Sequence, residues 1–445
     1  MSGPKVIRVV TMQELVARCE AHLRRLDSAI AEWTKACERA GATDPKADEA
    51  VTVRRYELRQ MLKEGRFTEI QKQVPAEISF LRSDVQTRIE RAAAAAAQAI
   101  WNRRRTSRTA RILLEALERS DRVVPSDLRH DLEAAEVKDS AVARAFALLS
   151  PPVVGEVATD RQRELASELG RDEKRVTFAD WMAHQPVGEE REPDLRIERH
   201  LAELPSLGID PSPFSARATA LSSEPPSRYT LLADSLLIEL AQAVREGREK
   251  ALRLSEMRER SAELALYDST VARSLRGRIE AAVAKADISA ASALIAEADG
   301  LAEEEMRFLA ADARRRAVLN GLASLGYEVN EGMATAWVQD GQIVLRKAAN
   351  PDYGVELGGG TKSDRLQVRA VTFGSPTSPR NTTRDTDAEA AWCSEFERLR
   401  TLVSSSGGGI EIEHALPVGA IPLKLVNATV VEVPDAARAP RTLGP

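Results

Sequence analysis

The sequence predicts a mainly α-helical protein: long antiparallel helical or coiled-coil bundles, then a small C-terminal α+β domain with an antiparallel sheet of about five strands. Three observations lead there. In a chain of 445 residues, Ala, Glu, Leu and Arg dominate, charged residues reach 29% and aromatics only 4%. That is the balance of long helices rather than of a sandwich or a doubly wound sheet. Apolar residues recur at alternating steps of three and four through two blocks, 11–150 and 229–317, the period of helices packed on helices. From Gly326 onward the period falls to two, that of strands.

The same composition bounds function. A hydrophobic share of 43% is enough to build cores, and a net charge of −5 is modest for this length. The chain as a whole is therefore not drawn to nucleic acid or membrane, and such a partner would have to be met locally. Cys19, Cys37 and Cys393 include no CxxC pair, which argues against a disulfide scaffold or a zinc site. Cys19 and Cys37 fall on an apolar helical seam and read as core residues. The first residues lack the apolar stretch of a signal peptide, and no apolar run reaches membrane-spanning length. The expectation is a soluble, cytoplasmic protein without a membrane partner. Arginine outnumbers lysine several-fold, a bias that accompanies GC-rich bacterial genomes.

Taken in order, residues 1–10 hold a short alternating run, 6–10, read as an N-terminal strand or arm. Thr11 and Glu14 then form a Thr-x-x-Glu capping box that starts a helix. Its seam is Leu15, Cys19, Leu23, Leu26, Ile30, Trp33 and Cys37, and Gly41 ends it. A second helix, 45–64, rests on Val51, Leu58, Met61 and Leu62 and stops at Gly65. The block is organised around 74–120, where Val74, Ile78, Leu81, Val85, Ile89, Ala92 and Ala96 mark a seam. Pro75 is expected to kink that helix or open it. The alanines at 92–97 extend it, as the best helix former, and permit close approach of another helix. Past Pro125 a helix is expected to about 149.

Residues 151–228 read as short helices, at 160–169 and 178–184, followed by a Pro-rich linker or extended strap. Only 194–204 looks helical within that Pro-rich stretch. In the block 229–317, Leu232, Leu236, Leu240 and Ala243 mark one helix, and Val271, Leu275, Ile279 and Val283 a second. Asp287 is the expected N-cap of a third. No repeat of fixed period supports a solenoid. In 318–426, strands 334–339 and 342–347 flank Asp340-Gly341, read as a hairpin turn. Strands follow at 353–357 and 366–373, then a helix capped by Thr386-x-x-Glu389 with Trp392, Phe396, Leu399 and Val403 inward, then a strand at 410–415. Residues 427–445 read as a disordered tail.

Candidate chemistry is sparse. The run 358–364, GGGTKSD, has the look of a phosphate loop, but Thr361 stands before Lys362 where such a loop needs Gly, and a strand follows. It reads as a turn, as does the polar loop 350–354. Cys393 and His414 are the only conceivable nucleophile and base, yet Cys393 sits beside the inward Trp392 and reads as a bystander thiol. The histidines show no metal-ligand spacing. No catalytic, cofactor-binding or metal-binding residues are assigned, and no cofactor is expected. One local anomaly stands out: Arg103, Arg104, Arg105, Arg108 and Arg111, a run of arginines without an acid. Arg104, Arg108 and Arg111 share one side of the helix. They suit phosphates or an acidic partner, or form a solvated face, or one compensated by glutamates such as those at 303–305.

Two functional expectations follow. The first is a non-enzymatic coiled-coil adaptor or scaffold of a cytoplasmic bacterial multiprotein assembly, joined to protein partners or to itself through helical arms. The second is a nucleic-acid-associated component of chromosome maintenance or anti-phage defence, working through the arginine stripe. Net acidity and the lack of a groove-reading motif favour the first.

Overall fold

Ile7 and Val9 are fully buried, and their location settles the architecture of the C-terminal sheet. The computed structural model describes residues 4–149 and 192–427, apart from 121, 122, 135, 222, 223, 331, 361, 362 and 375–380. It is mainly α with a small sheet near the C-terminus. Strand β1 (Lys5–Val10) is a central strand of that sheet, whose order is β2-β3-β4-β1-β5. The others are β2 (Gln342–Arg346), β3 (Tyr353–Gly358), β4 (Arg365–Phe373), β5 (Gly409–Ala415) and β6 (Lys424–Val426). β1 runs antiparallel to β4, with Lys5 opposite Val368, and to β5, with Lys5 opposite Ala415 and a register shift between Val6 and Ile7. β6 pairs parallel to the end of β4; three residues are too few to leave a sequence signal.

The chain divides into two compact units. The first comprises Met1–Ile30, Glu49–Ser79 and Arg253–Pro445. Its helices, or helix parts, are α1 (Met12–Arg39), α2 (Pro45–Lys63), α3 (Phe67–Arg119), the end of α8 (Pro226–Leu264), α9 (Thr270–Ala284), α10 (Ala291–Ser324), α11 (Met333–Asp340) and α12 (Thr382–Ser405). One face of the sheet is covered: Ile7, Val9, Leu345, Val355, Leu357 and Val368 pack with Val318 and Leu322 of α10 and Trp392, Phe396 and Leu399 of α12. A second core joins Met257 and Leu264 to Leu275 and Ile279 of α9 and Leu294 and Ala298 of α10. Each helix thus buries one apolar stripe, the condition for its stability.

The start of α1 keeps half of the expected capping box. Glu14 donates its backbone N–H to Thr11 Oγ1 at 3.2 Å, but its carboxylate turns to Arg314, which holds it with Nε and Nη2 at 3.0–3.1 Å. Helix α3 is unbroken at Pro75 and begins earlier than expected, at Phe67. Ile70, Val74 and Ile78 are buried on either side of the proline, so packing outweighs the lost hydrogen bond.

Several expectations are corrected. Residues 334–339 are not a strand: they lie in α11, and Gly341, at φ 71°, donates to the Trp337 carbonyl as the helix C-cap. Eight residues with one buried Trp337 carry no decisive period, and Asp-Gly ends a helix as readily as it turns a hairpin. Helix α12 starts before Thr386, with Asn381 as the cap that accepts from Arg384 N at 3.1 Å. Asp287 does not cap the next helix; it makes an Asx turn to Ser289 N, and α10 begins at Ala291.

The second unit comprises Ala31–Asp48 and Phe80–Leu252. The single helix expected after Pro125 is two, α4 (Ser126–Glu133) and α5 (Asp139–Leu149), with Ala134 extended between them. The break lets Leu128, Leu132, Ala141 and Ala145 all reach Ala110, Leu113 and Leu117. The described part of the Pro-rich stretch, from residue 192 on, is not an extended strap. It forms α6 (Glu192–Glu203), a 3-10 turn (Leu204–Leu207), α7 (Ser212–Leu221) and the start of α8. Pro205 and Pro213 stand in first turns, where a missing N–H is harmless. Leu201, Leu204 and Leu221 then build a core with Tyr229, Leu236, Leu240 and Val244 of α8. Within the alanine run of α3 the buried members are Ala93 and Ala97 rather than Ala92 and Ala96; with Leu81 and Ile89 they keep steps of four or eight, which drift off a heptad seam. The expected helices at 160–169 and 178–184 and the tail beyond 427 lie outside the described residues. Among the described residues no helix is long and apolar enough to cross a membrane.

Candidate functional site

The arginine stripe sits on α3 within the second unit, and acidic side chains meet part of it. Arg103 pairs with Glu136 at 3.2 Å and Arg104 with Glu198 of α6 at 2.6 Å. Glu198 is buried. The Arg105 guanidinium lies 5.5 Å from the Trp101 ring centroid, a cation–π distance. Arg108 and Arg111 are exposed. The five arginines therefore do not act as one unmatched surface: two carry carboxylate partners and a third lies on a ring. Glu303, an expected compensator, pairs instead with Arg307 one turn along its own helix.

The C-terminal cysteine has a neighbour that the sequence did not indicate. Cys393 on α12 receives Lys5 Nζ at 3.7 Å. Lys5 is only 1% exposed, with Nζ 4.9 Å from the Phe396 ring centroid. Burial holds the lysine below its ordinary pKa, against the attraction of Cys393, Glu389 and Glu397. His414 is elsewhere: it faces Val6 across β1 and β5, and alternation puts that pair on the sheet face opposite Ile7 and Lys5. The thiol and the imidazole are not brought together. Among the described residues no group of His, Cys, Asp and Glu is arranged to hold a metal ion. Thr361 and Lys362 of the glycine-rich run lie outside the described residues. In the polar loop 350–354, Tyr353 donates to Asp385 in the first turn of α12 at 3.0 Å, which makes that loop a tether.

The most distinctive surface is on α8. Its inner side, with Ala233, Leu236, Leu240 and Val244, is spent on the core of its own unit. Its outer side carries Leu231, Ile238 and Leu252, exposed by 72%, 68% and 41%. With Arg245 these positions fall every seven residues, two helical turns apart and therefore on one side. A surface helix needs one apolar stripe; this one has a second. In the sequence only the inner stripe stands out, because the stronger period masks the weaker. Compared with family models, curated proteins and solved structures, the chain finds no match.

Proposed function

We propose that the chain is a non-enzymatic adaptor or scaffold of a cytoplasmic bacterial assembly, and that the outer side of α8 pairs with the same helix of a second copy. The observation that carries this is the exposed series Leu231, Ile238 and Leu252 at seven-residue intervals. Another helix lying alongside touches all three, since they span about 30 Å at roughly 1.5 Å per residue. The series, Arg245 included, is symmetric about its midpoint. An antiparallel second copy sets Leu231 against Leu252 and Ile238 against Arg245, whose aliphatic stem covers the isoleucine while its charge stays in water. Such a contact is closed and self-complementary, as two-fold association requires.

The test is co-purification of two differently tagged full-length copies, with nuclease present throughout. Retention of the second tag in the wild type, and its loss in Ile238→Glu, supports the reading. Retention that depends on nucleic acid, or that survives Ile238→Glu, contradicts it. The nucleic-acid reading has less behind it, since Arg104 is held by the buried Glu198 and the chain carries a net charge of −5.

A further inference from the structure

Two cavities open within the first unit, on the side of α1 that faces α10. The smaller, about 370 Å³, is lined by Arg8, Arg18, Arg307 and Arg314, with Glu14 and Asp364 as its acids. Four guanidinium groups thus face two carboxylates. Glu14 is saturated: Arg314 grips both its oxygens, and Arg18 reaches Oε1 at 3.0 Å. Arg314 is itself buried and also donates to the Ser363 carbonyl oxygen at 3.3 Å, so it forms a fixed floor. The other pairings at the rim are loose. Arg8 lies 3.9 Å from Asp364 with both side chains more than half exposed. Arg307 meets Glu303 one turn away at the rim of the neighbouring, larger cavity, the two being 62% and 72% exposed. Exposed pairs of this kind hold little free energy and exchange readily for a better anion.

The larger cavity, about 660 Å³, shares Arg18 and Arg307 with the smaller, so the two meet at those side chains. Its lining differs in kind. Arg18, Arg25 and Arg307 there face Glu263, Asp299 and Glu303, so its charges balance, while His22, Gln71 and Tyr267 offer donors and acceptors and Met306 adds an apolar patch. Burial, and then Arg25 and Arg18, hold His22 below its ordinary pKa, which keeps the imidazole neutral and able both to donate and to accept. A pocket of that size with a few convergent polar groups suits the body of a small molecule. The smaller cavity, with its surplus of guanidinium forks, suits a phosphate or diphosphate group.

From this geometry we infer that the two cavities form one site for a phosphorylated small molecule of nucleotide size. The phosphates lie between Arg8, Arg18 and Arg307 over Arg314, and the hydrogen-bonding body lies against His22, Gln71 and Tyr267. The inference is independent of the α8 contact.

Calorimetric titration of the full chain tests it, using the four ribonucleoside diphosphates, ribose 5-phosphate, pyrophosphate and adenosine at constant ionic strength. At least one phosphorylated organic probe is expected to bind saturably at one site, at least tenfold tighter than pyrophosphate, with adenosine weaker still. Arg8→Ala/Arg307→Ala is expected to weaken that binding at least tenfold with an unchanged unfolding midpoint, because both side chains are exposed. Arg103→Ala/Arg104→Ala, in the other unit, leaves it unchanged. Absence of saturable binding by every probe overturns the inference. So does pyrophosphate binding as tightly as the organic phosphates, or binding indifferent to Arg8→Ala/Arg307→Ala.

Discussion

Glu14 and Arg314 stand 300 positions apart in sequence and meet as a buried, bidentate ion pair. Removing Arg314 leaves the buried Glu14 with only the half-exposed Arg18, and loss of one partner of a buried pair costs up to about 3–5 kcal/mol. Arg314→Met is therefore expected to lower stability by several kcal/mol, within about 5 kcal/mol, in denaturant unfolding. Glu14→Met/Arg314→Met is expected to recover most of it, since an apolar pair leaves no orphan charge; an unchanged midpoint in the single variant would contradict the pairing. Lys5 poses the opposite case. Its pKa is depressed below 10.5, chiefly by burial, so the unfolded chain binds the extra proton more readily. The penalty is fully present below the folded pKa and fades as pH rises toward 10.5. Lys5→Met is expected to stabilise the protein at pH 7, with the advantage shrinking in alkali. A loss of stability that is constant with pH would show that the Phe396 and Cys393 contacts outweigh burial. Neither residue's role was legible in the sequence. Glu14 could be read as a capping residue from its neighbours, but nothing local marks Arg314 or Lys5 as its own or another's distant partner.

At the scale of elements, β1 is the strand on which the sheet depends. It separates β4 from β5 and supplies Ile7 and Val9 to the core under α12. Deleting residues 1–10 is expected to expose two sheet edges at once and abolish the near-UV circular dichroism of Trp337 and Trp392, both buried in that core. A deletion variant that keeps the signal would mean that β4 and β5 hold together without it. The existence of most elements was legible: capping residues, seams and alternation mark α1, α2, β3, β4 and β5 to within a residue or two. The position of β1 was not, because pairing of Ile7 with Leu366 is a matter of tertiary contact, and periodicity reports only which face is apolar. The same limit explains α11 and the Pro-rich stretch. There the local text permits two structures, and burial of Trp337 or of Leu204 and Leu221 decides between them.

For the whole molecule, the question is whether the outer stripe of α8 meets another copy. The arginine run was visible in sequence as a local anomaly, while Glu136 and Glu198, which meet two of its members, were not. The apolar stripe was the reverse: invisible until the inner side of α8 was seen to be occupied. Sedimentation velocity of the full 48.6 kDa chain, measured across a hundredfold range of concentration, addresses the stripe directly. The wild type is expected to sediment faster as concentration rises, approaching twice the monomer mass, while Ile238→Glu stays monomeric throughout. A wild type that remains monomeric over the whole range, or association that Ile238→Glu leaves intact, would contradict the account.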